Sequence, residues 1–493
     1  MRIRRLTVLA VAAAGAGVLV YILVARHSPP ASRTHTRVKL SRALIRETGI
    51  AHDELKVTVR AGSRHEPFRL SYSWLECDLV GKRCSPLRGP RTRAIVPPQK
   101  AKVVTLRGVV TATNSAGSTS LTTRNFYYDM AGLAFDGRGA FDAHPEYDPA
   151  QLRARYGLGP EQDGAGQTIV IPDVGPRRGL RAAVDHFSAH YGLPRPCRGA
   201  KGPACFQLVV SRAGPASGLV RTDEAEADVE WAHSIAPAAR VVVLRFDFSH
   251  VAALLDRIAG LGRAGRASVV SNSWCEPCRG FHSFARAVVF PHIARACRVP
   301  HLVCVQATGD HGSPAETPSN SPYVLAVGGT RFGGPPGDPM RNEVPWPRSG
   351  LGDTDVPVAR PAWQRNAVAG CSRVRGVFSC ADRAVPDVSA TAANVPVFRP
   401  IRTGFAWSYF YGTSLSAPLW AGLIALTDQA LQRDGQPALG IEELHRVLYG
   451  GRVAGGLNDI PPEGWDWATG LGSPTAGIVE ALTRAIEHHR RRR

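Results

Sequence analysis

Several common signals are missing from this sequence, and each absence narrows the reading. No stretch interleaves basic and aromatic residues in the manner of a nucleic-acid-binding stripe, so no nucleic-acid partner is expected. The excess of 60 Lys and Arg over 40 Asp and Glu, a formal charge of +20, is open to two readings, an anionic surface such as lipid headgroups or a coding bias without functional meaning. Internal repeats are absent, which excludes solenoids and propellers. The CEPC stretch at Cys275 to Cys278 has no second CxxC and no histidine pair at finger spacing, which argues against zinc or redox exchange.

What is present begins with size. A chain of 493 residues exceeds one ordinary domain and predicts two or three. MRIRR precedes nineteen uncharged, mostly apolar residues from Thr7 to Ala25. As a helix such a run spans about 28 Å, close to the ~30 Å of a bilayer core. The expectation is an uncleaved single-pass signal-anchor through residues 7–25, basic end inside and the bulk of the chain outside the cell membrane. The alternative is a cleaved signal and secretion. The ten cysteines suit an oxidising compartment, in local couples: Cys77 with Cys84, Cys197 with Cys205, Cys275 with Cys278, Cys297 with Cys304, Cys371 with Cys380. The four from 275 to 304 admit other pairings.

Composition then divides the chain. Residues 1–33 read as anchor and stalk, 34–125 as a small all-β domain, 126–146 as a linker, 147–485 as the main domain and 486–493 as a basic tail. Alternating stretches such as FRLSYSW and VVTLRGVVTATNSAG, broken by Gly/Pro turns, carry the β assignment. From Tyr147 onward, short β-branched runs (TIVIPD, FQLVVS, RVVVLRF, SVVSNSW, HLVCVQATGD, YVLAVGG) alternate with amphipathic segments such as that around Val251 to Leu261. That pattern predicts an α/β fold, a doubly wound parallel sheet with chemistry at the carboxyl ends of its strands.

Three stretches carry candidate chemistry. RTDEAEADVEWAHSIAPAA holds five acids in the eight residues Asp223 to Glu230. On a helix Glu224 and Asp228 share one face, and Glu226 and Glu230 another. A solvated acidic face and a paired-carboxyl site are both open readings. ATGDHGS places Asp310 at a strand exit, where an Asp between glycines also suits a plain turn. YGTSLSAP precedes a helical run, with Ser414 or Ser416 able to cap a helix start and Pro418 suited to its first turn.

Taken together, these motifs resemble those of the sedolisins, the serine-carboxyl peptidases that share a subtilisin-like fold. The matching stretches run in family order: YDPAQLRARYGL, GQTIVIPD, YGLP, EAEADVEWAHSIAP, VVSNSW, the GD turn, SPYVLAVGGT, VPDVSA, GTSLSAP and GWDWATGLGSP. The resemblance implies Ser414 as nucleophile, Glu224 as the base that takes its proton, Asp228 as the second carboxyl, and Asp310 as the oxyanion-site acid. It also implies calcium near the C-terminus, at Asp459, Ile460, Gly464 and Asp466. Residues 34–125 similarly resemble a bacterial immunoglobulin-like module, whose partner the sequence does not name.

Carboxylate bases suit work in acid, because their unperturbed pKa lies near 4. A subtilisin-type triad with Asp173 as its acid would need a histidine in an HGT-like turn, and none is present; His233 reads as a packed or surface residue. The immunoglobulin-like region stands where the family carries a long prosegment. The calcium loop is short, and His311 beside Asp310 would favour its ionised form. The expected function is a monomeric, exported serine-type endopeptidase acting on proteins or peptides at acidic pH. The alternative is a non-catalytic adhesion or scaffold protein on the same fold.

Overall fold

The computed structural model describes residues 36–129 and 147–492, apart from short interior stretches of which the longest are 197–205, 213–223, 275–283, 333–341 and 369–380. The segment 7–25 expected in the membrane lies outside the described residues. Among those described, no helix is long and apolar enough to cross a membrane.

The N-terminal strands are β1 (Lys39–Thr48), β2 (Glu54–Gly62), β3 (Arg69–Cys77), β4 (Cys84–Pro86), β5 (Ala94–Ile95), β6 (Val103–Asn114), β7 (Gly117–Thr122) and β8 (Phe126–Asp129). They form two antiparallel sheets, β1-β2-β5 and β4-β3-β6-β7, with β8 on β6. Trp74 is buried between them with Ala43, Val57, Leu106 and Val110. Its indole N–H is satisfied by the Thr92 carbonyl, which lets a polar tip enter an apolar cluster without loss. Cys77 and Cys84 face each other across β3 and β4 and are disulfide-bonded. The stretch Phe126–Asp129, read from sequence as the start of a linker, is a strand because its residues pair with β6.

The second set of strands comprises β9 (Thr168–Asp173), β10 (Leu208–Arg212), β11 (Arg240–Arg245), β12 (Val269–Asn272), β13 (Val303–Ala307), β14 (Leu325–Phe332), β15 (Glu343–Pro345) and β16 (Val388–Thr391). Their order is β10-β11-β9-β12-β13-β14-β15, with β16 also on β14, and every pairing except β14 with β15 is parallel. Along β11, Val241 and Val243 enter one apolar cluster while Val242 and Leu244 enter the other. Burial on both faces explains why these strands read as continuous apolar runs.

The helices are α1 (Pro149–Arg155), α2 (Leu180–His190), α3 (Glu224–Ile235), α4 (Val251–Arg263), α5 (Phe290–Cys297), α6 (Thr413–Arg433), α7 (Ile441–Tyr449) and α8 (Ile478–Arg491). Helices α3 and α6 contribute to one cluster, and α4 and α5 to the other. The close approach of α3 to α6 depends on Gly422, where a Cβ would stand 2.6 Å from the Ile235 side chain. The disulfide Cys297–Cys304 ties α5 to β13, one of the pairings left open by the sequence. The basic C-terminal stretch forms the end of α8, where Arg490 pairs with Glu443 at 2.7 Å.

Candidate active site

Three strand ends and two helix starts converge. Asp173 ends β9, Ser273 and Trp274 follow β12, and Asp310 follows β13, all at carboxyl ends of parallel strands. Opposite them lie Glu224 at the first described turn of α3 and Ser414 at the start of α6.

Ser414 is 7 % exposed, and its Oγ–H donates to Glu224 Oε1. One helical turn on, Asp228 is fully buried and accepts from Ser273 Oγ at 2.9 Å. That hydroxyl also stands 3.3 Å from the Ser414 carbonyl oxygen, linking the carboxyl to the serine's own backbone. Burial, followed by the charge of Asp173, pushes the Glu224 carboxyl well up; the Ser414 hydrogen bond opposes this. Asp228 is likewise pushed up by burial, then by Glu224 and Asp173. Carboxyls this close cannot all ionise, so the group holds at least one shared proton well above the usual carboxylate range.

The Asp310 carboxyl sits at the entrance to α6. Thr413 donates to its Oδ1 twice, from N–H at 2.8 Å and from Oγ at 2.9 Å, and Thr413 Oγ1 accepts from Gly309 N–H at 3.0 Å. With Oδ1 doubly engaged, the oxygen open to protonation is Oδ2. It faces Gly412, whose φ is +139° and where a Cβ would lie 2.7 Å from Oδ2. Glycine is therefore required twice over, by backbone conformation and by space. Burial raises the Asp310 pKa, while Arg348 and the Thr413 bonds oppose the rise. His311 lies outside the described residues.

The remaining sequence candidates fall elsewhere. Ser416 donates towards the carbonyls of Ala390 and Thr391, a packing role. His233 is buried, bonded to the Pro194 carbonyl at 2.8 Å and stacked on Phe206 at 3.6 Å. Burial pushes its pKa down to about 3, so it stays neutral. The open reading of a solvated acidic face on α3 is removed, because every residue from Ala225 to Ile235 is buried. Glu230 accepts from Phe398 N–H at 3.0 Å and serves packing rather than the site. Sequence reasoning missed Thr413 and Ser273 as positioning residues. Only their adjacency to Ser414 and to the strand-end turn was there to signal them.

At the expected calcium loop, Asp459 Oδ2 accepts from Gly464 N–H at 2.6 Å, and Asp466 Oδ1 accepts from Ala468 and Thr469 N–H at 2.6 and 3.0 Å. Ile460 is buried. Asp466 is pushed up to about 6, first by burial, with Asp459 adding to the rise. Among the described residues no group of three or more His, Cys, Asp or Glu is placed to hold a metal ion. Calcium here would rest on two carboxylates, which keep lone pairs beyond these bonds, and on backbone carbonyls.

Comparison with known proteins agrees with this geometry. The Subtilase family model matches residues 218–448, a span containing Glu224, Asp228, Asp310 and Ser414. Kumamolisin of Bacillus sp. (strain MN-32) is 29 % identical over 383 residues, 71 % of this chain and 66 % of kumamolisin. Human tripeptidyl-peptidase 1 is 30 % identical over 195 residues, 35 % of this chain and 33 % of that protein. The chain thus spans just under two thirds of the first relative and a third of the second. Pseudomonas sedolisin, a serine-carboxyl proteinase solved with pseudo-iodotyrostatin, shares the fold, with a TM-score of 0.54 at 18 % identity over 71 % of this chain and 99 % of that one. The chain is thus similar in sequence to kumamolisin and tripeptidyl-peptidase 1 and in fold to Pseudomonas sedolisin, which supports a place in the sedolisin family, on the subtilase fold.

Proposed function

We propose that this protein is an exported serine-carboxyl endopeptidase that hydrolyses protein or peptide substrates at acidic pH. The observation that carries the reading is the hydrogen bond from Ser414 Oγ to Glu224, with Asp228 one turn behind it. Serine is a poor nucleophile until a neighbour accepts its proton. In this reading Ser414 Oγ bonds to the scissile carbonyl carbon as its proton passes to Glu224. Asp228 steadies the resulting Glu224–H by sharing the proton. The carbonyl oxygen becomes an oxyanion and accepts a hydrogen bond from protonated Asp310 Oδ2, aided by the positive end of α6. Collapse breaks the C–N bond as Glu224 returns the proton to the leaving amine. Water then cleaves the acyl-serine by the same steps.

Acid enters twice. Asp310 donates only while protonated, and a carboxyl base works at a pH where histidine would be charged. Below the working range the Glu224–Asp228 pair is fully protonated; above it Asp310 ionises.

Export belongs to the same reading, with residues 7–25 in the cell membrane and the peptidase outside. The disulfides Cys77–Cys84 and Cys297–Cys304 support an oxidising compartment. The strands of residues 39–129 would serve as an immunoglobulin-like spacer ahead of a monomeric peptidase domain. The repulsion between Asp459 and Asp466 supports a calcium ion bound with the Ile460 and Gly464 backbone. Such an ion would supply charge neutralisation and brace the loop.

Peptide cleavage by the protein from pH 3 to 8, with Ser414→Ala as control, tests the proposal. Cleavage confined to the acid side and absent from the control is expected. A folded protein that cleaves no member of a broad peptide library, with or without calcium, would instead be a scaffold.

A further inference from the structure

The 346–350 turn, which none of the sequence motifs includes, packs directly on the oxyanion turn. Gly312 N–H donates to the Arg348 carbonyl at 2.9 Å, and Gly350 N–H donates to the Gly309 carbonyl at 2.7 Å. A Cβ at Gly350 would fall 1.9 Å from the Thr308 carbonyl oxygen, so no side chain fits between the two turns. Ser349 anchors the same turn to the sheet by accepting from Gly329 N–H at 2.9 Å. The backbone that carries Arg348 is therefore fixed relative to Asp310.

The side chain is fixed as well. Arg348 Nε donates to the Asp310 carbonyl oxygen at 3.3 Å. Its guanidinium carbon stands 5.6 Å from the Trp346 ring centroid and 5.5 Å from that of Tyr411, within cation–π range of both. Tyr411 lies three residues before Ser414. Two aromatic faces and one hydrogen bond thus hold a permanent positive charge against the residue whose protonation the oxyanion site requires.

We propose that Arg348 is a positioning residue that holds the Asp310 turn and, through its charge, sets the upper pH limit of the reaction. The inference rests on the serine-carboxyl reading of Ser414, Glu224 and Asp310. Arginine stays charged throughout the relevant range, so its influence does not vary with pH. Its charge favours the ionised form of Asp310 and opposes the effect of burial. Among the described residues, the other ionisable groups acting around Asp310 are the acids Glu316 and Glu224, which favour its protonated form; its neighbour His311 lies outside them. Among the described residues Arg348 is the cation set against them. Removing that charge should let Asp310 keep its proton, and its donor role, to higher pH. Activity would extend upward in pH on loss of an active-site arginine, an outcome that a purely structural role does not produce.

The test is the pH profile of kcat/KM for wild type, Arg348→Gln and Arg348→Lys. The alkaline limb of Arg348→Gln is expected to move up by about one pH unit, the low end of what one nearby charge does to a carboxyl, and Arg348→Lys should keep the wild-type limb. A limb that stays in place in Arg348→Gln while the rate falls equally at every pH would overturn the inference. A second measurement is independent of turnover: the Asp310 carboxyl carbon is titrated by NMR in Ser414→Ala protein, with and without Arg348→Gln. A higher midpoint in the double variant supports the inference, and coincident midpoints reject it. Failure of the serine-carboxyl reading would appear separately, as hydrolysis that persists in Ser414→Ala or is absent from wild type.

Discussion

Replacing Asp428 by Asn should stabilise the protein at neutral pH and leave it nearly unchanged in acid. Asp428 lies within α6, fully buried. Its Oδ1 accepts from Leu439 N–H at 2.7 Å, and its Oδ2 has no hydrogen-bond partner among the described residues. Burial is the main cause that pushes the carboxyl from an ordinary 3.8 up to about 8; the Leu439 bond and Arg490 act against the rise, and Glu443 adds to it. Between those two values the folded chain holds a proton that the unfolded chain releases. Stability therefore falls as pH rises through this window, by about 1.4 kcal/mol per pH unit for one such group, and levels off above the folded value. From pH 4 to pH 7 the loss amounts to about 4 kcal/mol. Asparagine keeps the acceptor for Leu439 and has no charge to neutralise. Urea unfolding followed by tryptophan fluorescence should show Asp428→Asn more stable than wild type by about 2–4 kcal/mol at pH 7, and within about 1 kcal/mol of it at pH 4. An equal change at both pH values, or destabilisation at pH 7, would refute the reasoning, because it would mean that Asp428 enters the fold ionised.

Two further outcomes follow from local geometry. Gly412→Ala should lower kcat by on the order of 10² to 10³, the usual effect of displacing one oxyanion donor, with KM little changed, because its Cβ would strike Asp310 Oδ2 rather than the Ser414 to Glu224 bond; steady-state kinetics on one peptide substrate decide this. Calcium should raise the melting temperature and chelation lower it, and Asp466→Asn should shrink the difference, as read by calorimetry at pH 7, where Asp466, pushed up to about 6, is mostly ionised.

Much of the fold was legible because the parallel sheet writes its burial into the sequence. TIVIPD, RVVVLRF and HLVCVQATGD are apolar on both faces and became β9, β11 and β13. The strand Val388–Thr391 and the hairpin of Val395–Ile401 with Gly404–Phe410 were not read. The first is only four residues long, and the second carries Pro396, Pro400 and exposed aromatics that break simple alternation.

Within the candidate site, the family resemblance pointed to Ser414, Glu224, Asp228 and Asp310, and helix spacing put the two α3 carboxyls on one face. Spacing alone left α3 ambiguous between a solvated face and a buried pair, because charge does not reveal what covers it. Arg348 was invisible for another reason. Its turn reaches Asp310 across a sequence gap of 38 residues, and no local pattern encodes a contact between distant loops.

The central claim is that Ser414 is a nucleophile activated by Glu224 rather than by a histidine. Its most direct test is the rate at which a covalent serine-directed probe labels the protein at acidic pH, with the modified residue identified by mass spectrometry. The account predicts labelling at Ser414 in wild type, markedly slower labelling in Glu224→Gln, and an undiminished rate when the buried His233 is replaced by Phe in a folded protein. Failure of folded wild-type protein to label, or labelling of Glu224→Gln at the wild-type rate, would contradict it.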